Sequence, residues 1–259
     1  MNTAAVHETD APLHAPCRRL AAGAPWGWLA AGWRDFRRAP GHSLAYGAVF
    51  VAIGWLLVYL SWLDEIYLVL GLFASLLVVG PALAFGLYDA SHQLERGRRP
   101  SFRHERSKAL HEMGHELMLA LWLSLVFLVL LIFITALMDM VVAPPPYPVA
   151  AAVPVTGTGF LAVATVFGVL LFCISAFALP MIMDRDATAT TAIATSLHAV
   201  WCNKGALAVW ALIVLVLTVA GFATALAGFL VIAPVLGYAT WHAYRETILP
   251  GAAGTDERA

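Results

Sequence analysis

The chain has 259 residues, 61% of them hydrophobic and 12% charged, with a mean hydropathy of +0.80. An apolar share this large, gathered into long runs, excludes an ordinary soluble domain and a disordered chain, and places the protein in a bilayer. The net charge of −1 and the scattering of the fifteen Lys and Arg along the chain exclude a nucleic-acid-binding protein.

Residues 1–24 are rich in Ala, His and Pro and contain no apolar stretch of signal-peptide length, so they read as a disordered tail. From Pro25 to Pro40 the pattern changes. Trp26, Leu29, Trp33 and Phe36 recur at helical spacing, while Arg34, Arg37 and Arg38 occupy other faces. This predicts an amphipathic helix in the headgroup region, ended by Pro40-Gly41.

Two apolar runs follow, Ser43–Leu63 and Ile66–Tyr88, then a basic loop. The third run is Leu117–Met138. A stiff proline-rich connection containing Pro144, Pro145, Pro146 and Pro148 leads to the fourth, Gly159–Met183. A second amphipathic helix is expected before the fifth run. Its stripe is Ile193, Leu197, Val200 and Trp201, Asp186 and Thr188 can cap its start, and Asn203-Lys204-Gly205 closes it. The fifth and sixth runs are Ala206–Ala225 and the shorter Gly228–Tyr244. The expected organisation is a cytoplasmic tail at 1–24, a membrane domain at 25–248 and a second tail at 249–259.

Charge sets the orientation. Every Lys and Arg falls before the first run, between the second and third, between the fourth and fifth, or after the sixth. The three opposite connections hold none, and Asp64, Glu65 and Asp139 are the charges near them. Basic loops stay cytoplasmic during insertion, so six spans with both termini inside are predicted. Cys17, Cys173 and Cys202 all fall in reducing or buried places and should be free thiols.

The ends of the second and sixth runs resemble each other. Gly80-Pro81-Ala82-Leu83-Ala84-Phe85-Gly86-Leu87-Tyr88 aligns without gaps with Ala233-Pro234-Val235-Leu236-Gly237-Tyr238-Ala239-Thr240-Trp241. Both segments would run from outside to inside, which makes the internal repeat parallel. Pro81 and Pro234 lack the amide hydrogen, so each frees the carbonyl four residues earlier, Leu77 and Leu230. Paired breaks in two halves of a membrane protein point to a central site, with Tyr88 and Trp241 at its cytoplasmic mouth.

Several stretches together resemble a bacterial integral-membrane family, domain of unknown function 2189. They are Gly32-Trp33-Arg34-Asp35-Phe36-Arg37-Arg38-Ala39-Pro40, Ser43-Leu44-Ala45-Tyr46-Gly47, Gly80–Tyr88, Asp184-Arg185-Asp186, Thr195-Ser196-Leu197 and Gly237–Arg245. The resemblance spans roughly residues 26–248. It implies an inner-membrane protein with six spans and brings no catalytic residues.

One motif has enzymatic form. His111-Glu112-Met113-Gly114-His115 matches His-Glu-x-x-His, in which two imidazoles one turn apart hold Zn²⁺ and the glutamate activates its water. A third ligand would have to come from Glu116, Asp184, Asp186 or His198. The competing reading is a polar, solvated helix start, with Glu112 and Glu116 favouring the helix dipole and pairing with Arg106 and Lys108.

The all-α, six-span architecture therefore leads to a non-enzymatic accessory, assembly or scaffolding protein. Its expected partners are the lipid bilayer and a membrane protein or a second copy of itself, with no cofactor. A cytoplasm-facing zinc metalloprotease is the alternative, and a carrier of a small uncharged or amphipathic molecule a second.

Overall fold

The computed structural model describes residues 14–63, 83–101, 165–166, 168–185 and 187–249. Among these the chain is helical, and pairing of extended backbone is confined to one isolated bridge between Cys17 and Ile248. The helices are α1 (Ala24–Arg38), α2 (Pro40–Trp62), α3 (83–95), α4 (168–175), α5 (Ala178–Arg185), α6 (Ala189–Cys202), α7 (Lys204–Ala223) and α8 (Phe229–Thr247). Among the described residues three stretches are long and apolar enough to cross a bilayer: Pro40–Leu60, Gly168–Arg185 and Lys204–Ala223. They coincide with the first, fourth and fifth runs of the sequence. The third run and most of the second, with Pro81, lie outside the described residues.

α8 is enclosed by its neighbours. It packs mainly on α1 and α2, and Tyr238, Trp241, Ala243 and Tyr244 are completely buried. Two glycines permit this approach. A Cβ on Gly32 would stand 2.8 Å from the Ala239 amide nitrogen, and a Cβ on Gly47 would collide with the Leu230 carbonyl. Leu230 is the residue whose carbonyl Pro234 frees, so the bare Gly47 backbone covers the group that the proline leaves without its amide partner.

Proline also shapes the fourth run. Its helix breaks between α4 and α5, with Pro180 just beyond the break. Ser196 of α6 mends it: its Oγ accepts from the Phe177 amide at 3.2 Å and donates to the Cys173 carbonyl at 2.8 Å. One hydroxyl thus replaces the missing backbone link, as buried polar groups in a membrane domain require.

The two amphipathic helices form where the sequence places them. α1 buries Pro25, Trp28, Ala31, Gly32, Asp35 and Phe36, and leaves Trp26 61% and Trp33 47% exposed. α6 buries Ala192, Thr195, Ser196 and Ala199, and leaves Leu197 and Trp201 exposed. Thr188 caps α6 by accepting from the Thr191 amide, and Lys204 Nζ stands 3.4 Å over the Trp201 ring. On α6 small and polar residues face inward; on α1 they share the inward face with Trp28 and Phe36, while Trp26, Trp33 and Trp201 face outward. Exposed apolar side chains continue along α2 (Trp55, Tyr59, Trp62) and α7 (Leu212, Leu215, Val219, Phe222), the pattern of a surface solvated by hydrocarbon.

Residues 14–23, within the stretch the sequence reads as a tail, run beside the end of α8. Arg18 N–H donates to the Thr247 carbonyl at 2.8 Å and Leu249 N–H to the Pro16 carbonyl at 3.0 Å. Asn203 joins them to α6: its Oδ1 accepts from Leu20 N–H and its Nδ2 donates to the Arg18 carbonyl. Cys17, Cys173 and Cys202 are free thiols. Burial, and then the neighbouring Cys202, push the Cys17 thiol up to about 11.

Candidate functional site

The polar side chains of the bundle gather at one end, where α1, α3, α5 and α8 meet. Asp35 is the centre. It lies on the inward face of α1 and is only 2% exposed. A buried carboxylate is costly unless its lone pairs are satisfied. Two donors reach Oδ2: Ser91 Oγ of α3 at 2.7 Å and His242 Nε2 of α8 at 2.7 Å. Arg38, one turn on, stands 3.8 Å from Oδ1 and is largely solvated.

The chain of charges continues from there. His242 Nδ1 lies 3.6 Å from Glu95 Oε1, and Glu95 Oε2 lies 3.6 Å from Arg245 Nε. Arg245 reaches Asp184 at 3.6 Å, which also accepts from Tyr244 OH at 2.7 Å and lies 3.8 Å from Arg185. Arg185 in turn donates to the carbonyls of Leu249 and Ile248. Nearby, the buried Asp89 accepts from Gln93 at 2.6 Å. The exposed outer pairs contribute little each; the buried Asp35 pair fixes the geometry.

Ser91, His242 and Asp35 are the residue types of a hydrolase triad, but their connectivity is different. In such a triad one imidazole nitrogen faces the serine and the other the carboxylate. Here Nε2 faces both Asp35 and Ser91, the latter at 3.4 Å, and the serine hydroxyl donates its hydrogen bond to the carboxylate. Ser91 is also fully buried. The three side chains tie α1, α3 and α8 together without the relay geometry of that triad.

The residues proposed from the sequence divide as follows. Tyr88 and Trp241 come together in one buried apolar cluster. Trp241 stacks on His92, with ring centroids 5.3 Å apart, and meets Tyr244 in a tilted contact at 5.5 Å. Its Nε1–H is buried without an acceptor among the described residues. Pro234 is buried in α8 on the side of α2. The two segments matched as a repeat are adjacent where both are described: Leu87 packs against Gly237, and Leu87 and Ala90 share a cluster with Val235 and Tyr238.

His111, Glu112, His115, Glu116 and Asp186 lie outside the described residues. Of the other ligands considered for zinc, Asp184 is engaged by Tyr244, Arg185 and Arg245. His198 stacks on His14 at 3.9 Å and lies 3.5 Å from Cys202 Sγ. Among the described residues no three His, Cys, Asp or Glu are placed to hold a metal ion.

Sequence reasoning did not single out Asp35, Ser91, Glu95 or His242. A signal was present. Asp35 lies three residues from Gly32 and one from Phe36, among the residues that α1 buries, and an acid there needs a buried partner.

A second feature is an apolar groove of about 470 Å³ between α1, α7 and α8, with Trp26, Ala30 and Trp33 on one wall and Leu217, Val231 and Ile232 on the other.

A family model described as a predicted integral membrane protein (DUF2189) matches residues 68–184, so the family resemblance read from the sequence is shown over that stretch. It includes Ser91, Glu95 and Asp184 of the cluster, while Asp35 and His242 fall on either side. No characterised protein and no solved structure matches the chain.

Proposed function

We propose that this protein is a non-enzymatic, six-span component of the bacterial inner membrane. Both termini are cytoplasmic, and its two interfacial helices bind lipid and support an accessory or scaffolding role. The observation that carries this reading is the set of tryptophans that α1 and α6 turn outward. α6 buries small and polar residues and exposes Trp201, and α1, although it buries Trp28 and Phe36, exposes Trp26 and Trp33 beside Arg34 and Arg37. A helix that needed only to be buried would do the reverse. Indoles beside cations, at the end of the bundle where the basic residues collect, are the side chains an anionic membrane surface attracts.

The Asp35 cluster fits this role as a clasp. It pins α1 to α8 and α3, so that the outward face is presented in one orientation. The parallel repeat belongs to the same reading. Both interfacial helices lead directly into a long apolar helix, α1 into α2 and α6 into α7, and the matched segments of α3 and α8 lie side by side.

Reporter fusions test it. Fusions at Asp64, at Pro145 and after Ala225 should report the periplasm. Fusions after Arg99 and at the C-terminus should report the cytoplasm. A periplasmic C-terminus would overturn the six-span reading and the assignment of α1 and α6 to the inner leaflet.

A further inference from the structure

We infer that the groove between α1, α7 and α8 seats one acyl chain of an anionic phospholipid whose phosphate is held by Arg34 and Arg37. This rests on the lipid-binding reading above and gives it a site and a headgroup class. The groove is lined by apolar side chains and lies on the outward side of α1. Its volume of about 470 Å³ is within the range of small-molecule pockets, so it can hold more than a passing methyl group. Its walls on α7 and α8 reach Leu217 and Val231. Val231 is 13 residues from Tyr244, which at about 1.5 Å per residue is roughly 20 Å along the helix from the polar end. A chain lying there would run from headgroup level towards the bilayer centre.

Charge supplies the other half. Arg34 follows Ala30 by four residues and Arg37 follows Trp33 by four, so each arginine stands one turn beyond a groove residue on the same face of α1. Both are exposed, and neither has an ion pair among the described residues, whereas Arg38 leans on Asp35. Two free guanidiniums beside an apolar slot complement a phosphate with a tail.

The test uses the full chain in mild detergent or in nanodiscs, titrated with phosphatidylglycerol and with phosphatidylcholine and read by native mass spectrometry. Phosphatidylglycerol should be retained in preference. Arg34→Gln with Arg37→Gln should abolish that preference, weakening phosphatidylglycerol binding by about tenfold or more. Ala30→Trp, which fills the slot, should weaken both lipids together. Glycerol phosphate, which has the charge without the tails, should not compete. Equal retention of the two lipids by the wild type would overturn the inference. So would competition by glycerol phosphate, an Ala30→Trp variant that binds as the wild type does, or a protein instead of lipid in the groove. Each of these results leaves the fusion-defined topology standing, so failure of the site is distinguishable from failure of the architecture.

Discussion

Asp35 and His242 meet at 2.7 Å although 207 residues separate them in the chain. The contact joins α1 to the C-terminal part of α8. Ser91 of α3 completes it from a third element. Removing one partner of a buried pair leaves the other unsatisfied, and that loss exceeds what the pair contributes over an apolar replacement. Asp35→Asn and His242→Leu should each destabilise the detergent-solubilised protein by about 3 kcal/mol in thermal or denaturant unfolding. The double variant should cost clearly less than the sum. Strict additivity would show that the two side chains do not share an interaction.

Gly47 offers a sharper steric test. A Cβ there collides with the backbone of Leu230, and backbone cannot rotate out of the way as a side chain can. Gly47→Ala should cost about 1–3 kcal/mol by forcing α2 and α8 apart. Gly41→Ala, at a position with open space around it, is the control and should leave the midpoint within experimental error or raise it slightly. Equal effects of the two substitutions would contradict the close packing of these helices.

Much of this arrangement was legible in the sequence. The apolar runs place α2, α7 and α8, and the Trp and Arg periodicity places α1 to within two residues, because membrane helices satisfy their own backbone and need little tertiary context. Thr188, one of the two caps the sequence offers, is the one that forms. Which residues turn inward was only partly legible. Periodicity groups Trp26, Leu29, Trp33 and Phe36 in one stripe, yet Trp26 and Trp33 are exposed while Phe36 is buried, because whether a side chain faces protein or lipid depends on its neighbour. The Asp35 cluster was hidden for a related reason. Its members lie on separate helices, and no local pattern records their convergence.

The zinc motif gives a separate expectation. If His111, Glu112 and His115 form a solvated helix start, the purified protein will carry no stoichiometric zinc by elemental analysis. Glu112→Gln will then behave as the wild type. Tight zinc lost on His111→Ala or His115→Ala would establish the protease alternative in its place.

The central claim is that α1 and α6 lie at the membrane surface with their tryptophans towards lipid. Spin labels at Trp33→Cys and Trp201→Cys, in a chain whose Cys17, Cys173 and Cys202 are replaced by Ser, measure it most directly. Collision rates with oxygen and with a water-soluble nickel chelate give the depth of each label in reconstituted vesicles. Both labels should fall at headgroup level, with oxygen access well above that of an aqueous loop. Labels as open to the nickel chelate as one placed in the C-terminal segment would contradict the account.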